Sequence, residues 1–190
     1  MRVVGVSGGL SSPSKTYGLV QAIVERINER SPQPGLLIDL AGIATAFGSV
    51  LGRDQLTAEQ EHLLQRIEQA DILVVATPVY RAAYPGLFKH FFDFIERAAL
   101  ERKVVILAAN GGSAHHALII ESHLRPLFSS LGAYTAPTGI YSQSSDFSQH
   151  RLTNPAVLVR IGEAVNEALQ LRIRLLVNQD APHLAQYAAA

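Results

Sequence analysis

The sequence predicts an α/β fold: a doubly wound, five-stranded parallel sheet in the order 2-1-3-4-5, with helices on both faces. Three observations carry this. Apolar runs at residues 3–6, 72–77 and 104–109 lack polar alternation, as strands buried on both faces do. Segments of helical periodicity separate the runs, and strand–helix alternation builds a parallel sheet. Right-handed crossovers then leave few doubly wound orders, and five strands select this one.

The first strand, 3–6, ends abruptly in Ser7-Gly8-Gly9, and a small hydroxylated loop leads to a helix at 14–30. There the loop N–H groups and the positive end of the helix dipole converge on one spot, a cradle for phosphate. No G-K-[ST] closes the loop and it lacks the G-x-G-x-x-G spacing, so it is neither a Walker A loop nor a dinucleotide fingerprint. Ser11, Ser12, Ser14 and Thr16 offer hydroxyls and Lys15 one positive charge, a set suited to a phosphate monoester. The same residues also read as a plain βα turn with Ser14 as helix N-cap.

A weaker second strand follows at 36–39, then a helix at 57–70 and the third strand. The loop after it, 77–86, carries two prolines and two tyrosines, a rigid aromatic surface for a planar ligand. Pro85 suits the first turn of a helix at 84–98. The fourth strand empties into Asn110-Gly111-Gly112-Ser113, whose paired glycines permit positive φ and close approach of the backbone to a ligand. A helix at 115–131, a fifth strand within 134–141 interrupted by Pro137, and a helix at 155–177 complete a single domain, 1–178, with a loose tail at 179–190.

In this strand order ligands bind outside the carboxyl ends of strands 1, 3 and 4, where loops 7–14, 77–86 and 109–114 meet. Hydroxyls, a rigid aromatic and paired glycines at one place describe a pocket for a phosphorylated, planar, polar-edged ligand. FMN fits that description.

Composition excludes several other classes. Sixteen basic residues balance sixteen acidic ones, which points away from nucleic acid and anionic membrane. The chain has no cysteine, so disulfides, thiolate chemistry and Cys-ligated metals are absent. Its apolar runs are too short to span a bilayer, and it opens on a strand with no signal-peptide pattern, so the expected compartment is the cytoplasm. His115, His116 and His123 do not complete a metal-ligand set and read as surface or interface histidines. No G-x-S-x-G elbow supports hydrolase chemistry. The stripe of Phe88, Phe91, Phe92, Phe94 and Ile95 is wider than one core face requires, which raises a subunit interface beside a core role.

Three segments, VSGGLSSPSKT, ADILVVATPVYRAAYPGLFKHFFDF at 70–94 and KVVILAANGGSAHHALIIESHLRPLFSSLGA at 103–133, carry a family resemblance. The chain resembles the NAD(P)H-dependent FMN reductases of the flavodoxin-like superfamily, and most of all those that feed reduced flavin to alkanesulfonate or methanesulfonate monooxygenases. The middle segment is the most specific. The resemblance implies that Ser7, Ser14, Lys15 and Thr16 hold the FMN phosphate. It implies that Pro78, Val79, Tyr80 and Arg81 line the isoalloxazine and that Gly111 and Gly112 contact it. Many relatives carry an arginine early in the first loop, in a G-S-x-R pattern. Gly9-Leu10-Ser11 replaces it here, leaving Lys15 as the loop cation, which suits a flavin bound loosely as substrate.

The expected activity is therefore hydride transfer from NAD(P)H to FMN, with reduced FMN released to a partner oxygenase. No side chain need act as acid or base on the hydride, because the flavin carries the chemistry. A flavodoxin-like electron carrier and a quinone or azo reductase that keeps its FMN are the alternatives. A homodimer or homotetramer is expected. Pro126 lies inside an apolar-periodic helix, where a missing N–H opens a kink or a π-bulge. In the reductases this chain resembles, an inserted residue makes a π-helix at the tetramer interface; the matching position is His123, so a bulge is expected within a turn of it.

Overall fold

A computed structural model describes residues 1–177; the expected tail at 179–190 lies outside the described residues. Five elements pair in parallel in the expected order. These are β1 (Val3–Ser7), β2 (Leu36–Asp39), β3 (Ile72–Pro78), β4 (Val104–Gly111) and β5 (Tyr134–Thr135), in the order β2-β1-β3-β4-β5. Register brings the carboxyl ends together: Ser7 lies beside Ala76, and Pro78 beside Asn110.

Side chains alternate across the sheet and fill two cores. Val4, Val6, Leu73, Val75, Val105 and Leu107 face one core. Val3, Ile72, Val74, Val104 and Ile106 face the other, packing on α1 (Lys15–Asn28) and α6 (Pro155–Val177). The first face is covered by α2 (Leu40–Gly48), α3 (Ala58–Glu68), α4 (Gly86–Asp93) and α5 (Arg125–Ser130).

Several expectations need correction. The fifth strand is two pieces: after β5, Pro137 cannot donate to a ladder, and β6 (Ile140–Gln143) then pairs a later stretch of β4. Helix α2 was not expected; Asp39, the last residue of β2, caps it by accepting from the Ala41 N–H. The helix foreseen at 84–98 ends at Asp93. The phenylalanine stripe is not a subunit interface: Phe88, Phe91, Phe92, Phe94 and Ile95 are all buried within the subunit. The reason is α2, whose Phe47 meets Phe91 edge-on at 4.9 Å and Phe94 at 5.8 Å, covering the side of α4 turned away from the sheet.

The segment foreseen as one helix over 115–131 is three pieces: a 3₁₀ turn at Ala114–His116, a π-helix at Ile120–Leu124, and α5. The Arg125 N–H donates to the Ile120 carbonyl, five residues back. The wide turn ends the preceding segment before Pro126, which then falls in the first turn of α5, where its missing N–H costs nothing. His123 lies within the π-helix, in keeping with the bulge that the family resemblance implied within a turn of it. A two-residue-per-strand hairpin, β7 (Phe147–Ser148) and β8 (Arg151–Leu152), joins β6 to α6.

Candidate active site at the strand ends

Three loops leave the carboxyl ends of β1, β3 and β4, and every site residue named from the sequence lies in them, at the strand ends they leave or in the first turn of α1.

The loop after β1 is shaped by packing. The Gly8 N–H donates to the Ala76 carbonyl at 2.7 Å, which fixes the chain against β3. A Cβ on Gly8 would lie 2.4 Å from Phe88 Cδ2, so no larger residue fits. A Cβ on Gly9 would lie 3.1 Å from Ser14 Oγ and 3.7 Å from Ser7 Oγ, so its absence leaves open the space that two hydroxyls border. Ser14 is indeed the N-cap of α1 and accepts from the Tyr17 N–H at 3.0 Å. That leaves the N–H groups of Lys15 and Thr16 without intrahelical partners. Thr16 is buried, while Ser11, Ser12 and Pro13 at the loop tip are exposed.

Ser7 is the informative residue. It is fully buried, and among the described residues its Oγ is the one buried side-chain polar atom with no hydrogen-bond partner. Leaving such a group unpaired costs about 1–3 kcal/mol. An orphan of this kind at a helix N-terminus, beside free N–H groups and Lys15, has the donor set of an anion site. The residues present therefore fit a phosphate.

The loop after β3 is a tight hairpin. The Tyr80 N–H donates to the Ala83 carbonyl at 2.8 Å, and the Ala83 N–H to the Tyr80 carbonyl at 3.1 Å. Arg81 and Ala82 turn it with φ of 52° and 67°, both left-handed and both carrying a Cβ. The loop is tied down on each side: the Val79 N–H donates to the Asn110 carbonyl at 3.0 Å, and the Tyr84 ring packs on Phe88 at 5.3 Å and edge-on against His123 at 6.0 Å. Tyr84 thus packs beneath the loop, whereas Tyr80 is 45% exposed.

In the loop after β4, neither Gly111 nor Gly112 adopts positive φ. Gly111 is dictated by space: a Cβ there would lie 2.1 Å from the Tyr141 hydroxyl and 3.2 Å from Val79 Cγ2. Gly112 has open space around it. The Tyr141 hydroxyl donates to the Ser113 carbonyl at 2.5 Å, and burial pushes its pKa up, keeping it a donor. Asn110 Nδ2 donates to Ser142 Oγ at 3.0 Å, locking β4 to β6. Sequence reasoning missed Gly8 and Tyr141. Gly8 was visible as part of a small-residue run; Tyr141 gave no local signal, because its role depends on β6 lying beside β4.

No side chain in the three loops pairs with another as acid and base, and among the described residues no three His, Asp or Glu side chains cluster as metal ligands. The arrangement can bind an anion at one end and a flat ring at the other.

A groove of about 1160 Å³ among the described residues lies elsewhere. It runs along α1 toward Arg151 and Leu158 and meets the first loop only at Ser12–Ser14. Its walls mix polar and apolar side chains, and Arg26 in them is paired to Glu29. The orphaned Ser7 hydroxyl favours the strand ends over this groove.

Comparison with known proteins agrees with the geometry. A family model described as NADPH-dependent FMN reductase matches residues 1–147. A protein named NADH-dependent FMN reductase SfnF, from Pseudomonas fluorescens, is 44% identical over 96% of this chain and 91% of its own length. One named FMN reductase (NADPH), from Pseudomonas aeruginosa, is 43% identical over 95% of this chain and 91% of its own. A solved structure, the apo form of the NADH:FMN oxidoreductase EmoB, superposes with a TM-score of 0.79 at 27% identity, covering 100% of this chain and 99% of that one.

Proposed function

This chain belongs to the NADPH-dependent FMN reductase family, and from that premise we propose that it releases reduced FMN to a flavin-dependent monooxygenase. It is an oxidoreductase that uses NAD(P)H to reduce FMN. The flavin supplies the redox chemistry, accepting hydride from the nicotinamide. The protein supplies position. In our reading Ser7, Ser14, Lys15 and Thr16 hold the phosphate, while Pro78, Val79, Tyr80 and Arg81 border one side of the ring and Gly111 and Gly112 the other. The single observation that carries this assignment is the buried, unpartnered hydroxyl of Ser7.

Release of the flavin is supported by the thin charge of the cradle, with Lys15 its lone cation. The choice of a sulfonate monooxygenase as recipient rests on the resemblance of the 70–94 segment. We further read the protein as a cytoplasmic homodimer or homotetramer. Its contact face would centre on the π-helix and the residues just before it, where Leu118 is 73% exposed. Sedimentation at micromolar concentration should then show an oligomer, and a monomer overturns that part.

Oxidation of NADH and NADPH with and without added FMN tests the whole. The expected protein is nearly colourless and turns over only when FMN is added. A yellow protein that oxidises NAD(P)H with a quinone or azo acceptor and no free FMN overturns the release model. A yellow protein with no NAD(P)H turnover marks an electron carrier.

A further inference from the structure

We propose that the Arg81 guanidinium binds a phosphate of the nicotinamide dinucleotide, and that the strained hairpin beneath it serves to fix that cation at the edge of the site. This rests on the reading of the strand ends as an FMN reductase site.

Backbone conformation is the first observation. A two-residue turn with both central φ positive is ordinarily built from Asn-Gly or Gly-Gly, because a Cβ disfavours the left-handed region. Here the two positions are Arg81 and Ala82, at 52° and 67°. Such conformations persist only where the surroundings over-determine them. The surroundings do so: Pro78 and Pro85 bracket the loop, Val79 is bonded to Asn110, and Tyr84 is wedged between Phe88 and His123. The turn therefore cannot relax, and Arg81 stands on a rigid base.

Charge accounting is the second. Most arginines here are occupied: Arg26, Arg53, Arg125 and Arg172 pair with carboxylates, and Arg30, Arg102 and Arg160 bond side-chain or backbone oxygens. Arg81 is exposed and makes no hydrogen bond or ion pair with a described residue. In the loops after β1, β3 and β4 and the helix starts they feed, Lys15 and Arg81 are the Lys and Arg residues present, as far as Gly86 and Ala117. Two cations stand ready for two anionic ligands. Lys15 lies at the phosphate cradle. Arg81 lies exposed in the loop that we read as bordering the ring. A guanidinium matches phosphate as a fork, which a lysine does not.

The relatives supply the third. Two proteins of 44% and 43% identity carry opposite dinucleotide labels, NADH and NADPH, so overall similarity does not set the preference. A few side chains at the dinucleotide's edge of the site must.

The test uses the full chain with Arg81→Ala, Arg81→Lys and Arg81→Gly, reading the KM for NADPH and NADH at saturating FMN, the KM for FMN, and NADP⁺ and NAD⁺ binding by calorimetry. Loss of one charge-assisted contact is expected to raise the dinucleotide KM and Kd about tenfold or more. The FMN KM, which the place of Arg81 beside the ring also touches, should rise several-fold less than the dinucleotide constants, and lysine should recover part of the dinucleotide loss. A defect for NADPH alone assigns the 2′-phosphate; an equal defect for both assigns the pyrophosphate. Arg81→Gly relaxes the turn yet removes the charge, so it should behave as Arg81→Ala does. Wild-type dinucleotide constants in Arg81→Ala, or an FMN KM rising in parallel, overturn the inference alone. A wild-type protein that oxidises neither dinucleotide with FMN overturns the functional reading and this inference with it.

Discussion

Substituting alanine at Gly111 should damage the site through one identifiable atom, and removing that atom should repair it. The added Cβ would sit 2.1 Å from the Tyr141 hydroxyl, 3.1 Å from its Cζ and 3.2 Å from Val79 Cγ2. The first contact is impossible, so the Tyr141 ring must move by about an ångström, and its 2.5 Å bond to the Ser113 carbonyl breaks. Overpacking and the lost hydrogen bond together predict a destabilisation of about 2–4 kcal/mol for Gly111→Ala. Tyr141→Phe alone forfeits the hydrogen bond, about 1 kcal/mol. In the double variant the hydroxyl is gone and the remaining contacts ask for only a few tenths of an ångström, so the total should be about 1–2 kcal/mol. The coupling is then about 2 kcal/mol, far outside additivity. Urea unfolding of the four proteins at constant m-value measures it, and the FMN KM should rise in Gly111→Ala and fall back in the double variant. Additive destabilisation, or an FMN KM unmoved by Gly111→Ala, would refute this account of why glycine ends β4.

Lys15→Ala should weaken FMN about tenfold or more and leave riboflavin nearly unchanged, because one charge-assisted contact to phosphate is lost; equal losses for both flavins would remove Lys15 from the cradle. Asp71 should set part of the acid limit. Burial raises its pKa, but the Arg2 N–H and the Arg172 guanidinium, both at 2.7 Å, outweigh burial and hold the carboxyl below the usual range. A depressed folded pKa gives stability that is complete above the unfolded pKa, about 4, and is lost as pH falls through the folded one. Asp71→Asn should therefore cost about 1–3 kcal/mol at pH 7 and flatten the fall in stability below about pH 5; curves that stay parallel down to pH 3 would sink the assignment.

What was legible in the sequence is what burial on both faces writes there. β1, β3 and β4 are unbroken apolar runs, and topology then brings their three loops together, which is why the ten residues we propose for the site could be named from sequence and lie near one another at the strand ends. Helix α2 was not legible because LAGIATAFG begins on the last residue of a strand, with no loop between, and contains two glycines and a β-branched pair that weaken helical propensity. That miss caused another. With α2 unseen, the phenylalanines of α4 lacked a cover, and an interface was inferred for them; Phe47 of α2 is the cover. The hairpin at Arg81 was hidden for the opposite reason: its residues carry none of the Asn-Gly chemistry that announces such a turn. Tyr141 acts across strands, and local patterns do not report that.

The same packing explains how loops from distant parts of the chain keep one geometry. Phe88, on α4, fills the space that a Gly8 side chain would need, and it stacks on Tyr84 at 5.3 Å. Tyr84 in turn meets His123 at 6.0 Å, and His123 is held by the neighbouring Ser122 hydroxyl, 2.8 Å from its Nδ1. That hydroxyl donates to the Leu118 carbonyl one turn back. The loop after β1, the aromatic hairpin and the π-helix therefore rest on one row of side chains. Close-packed interiors do not deform continuously. A displaced π-helix would move Tyr84, and Tyr84 can move only if Phe88 yields, which Gly8 lies against. Position is all that the proposed site would contribute to a hydride transfer, and a 1 Å error in position is costly. Regularising the wide turn at Ile120–Leu124 is thus expected to disturb flavin binding at both ends of the ligand, not at the nearer one alone.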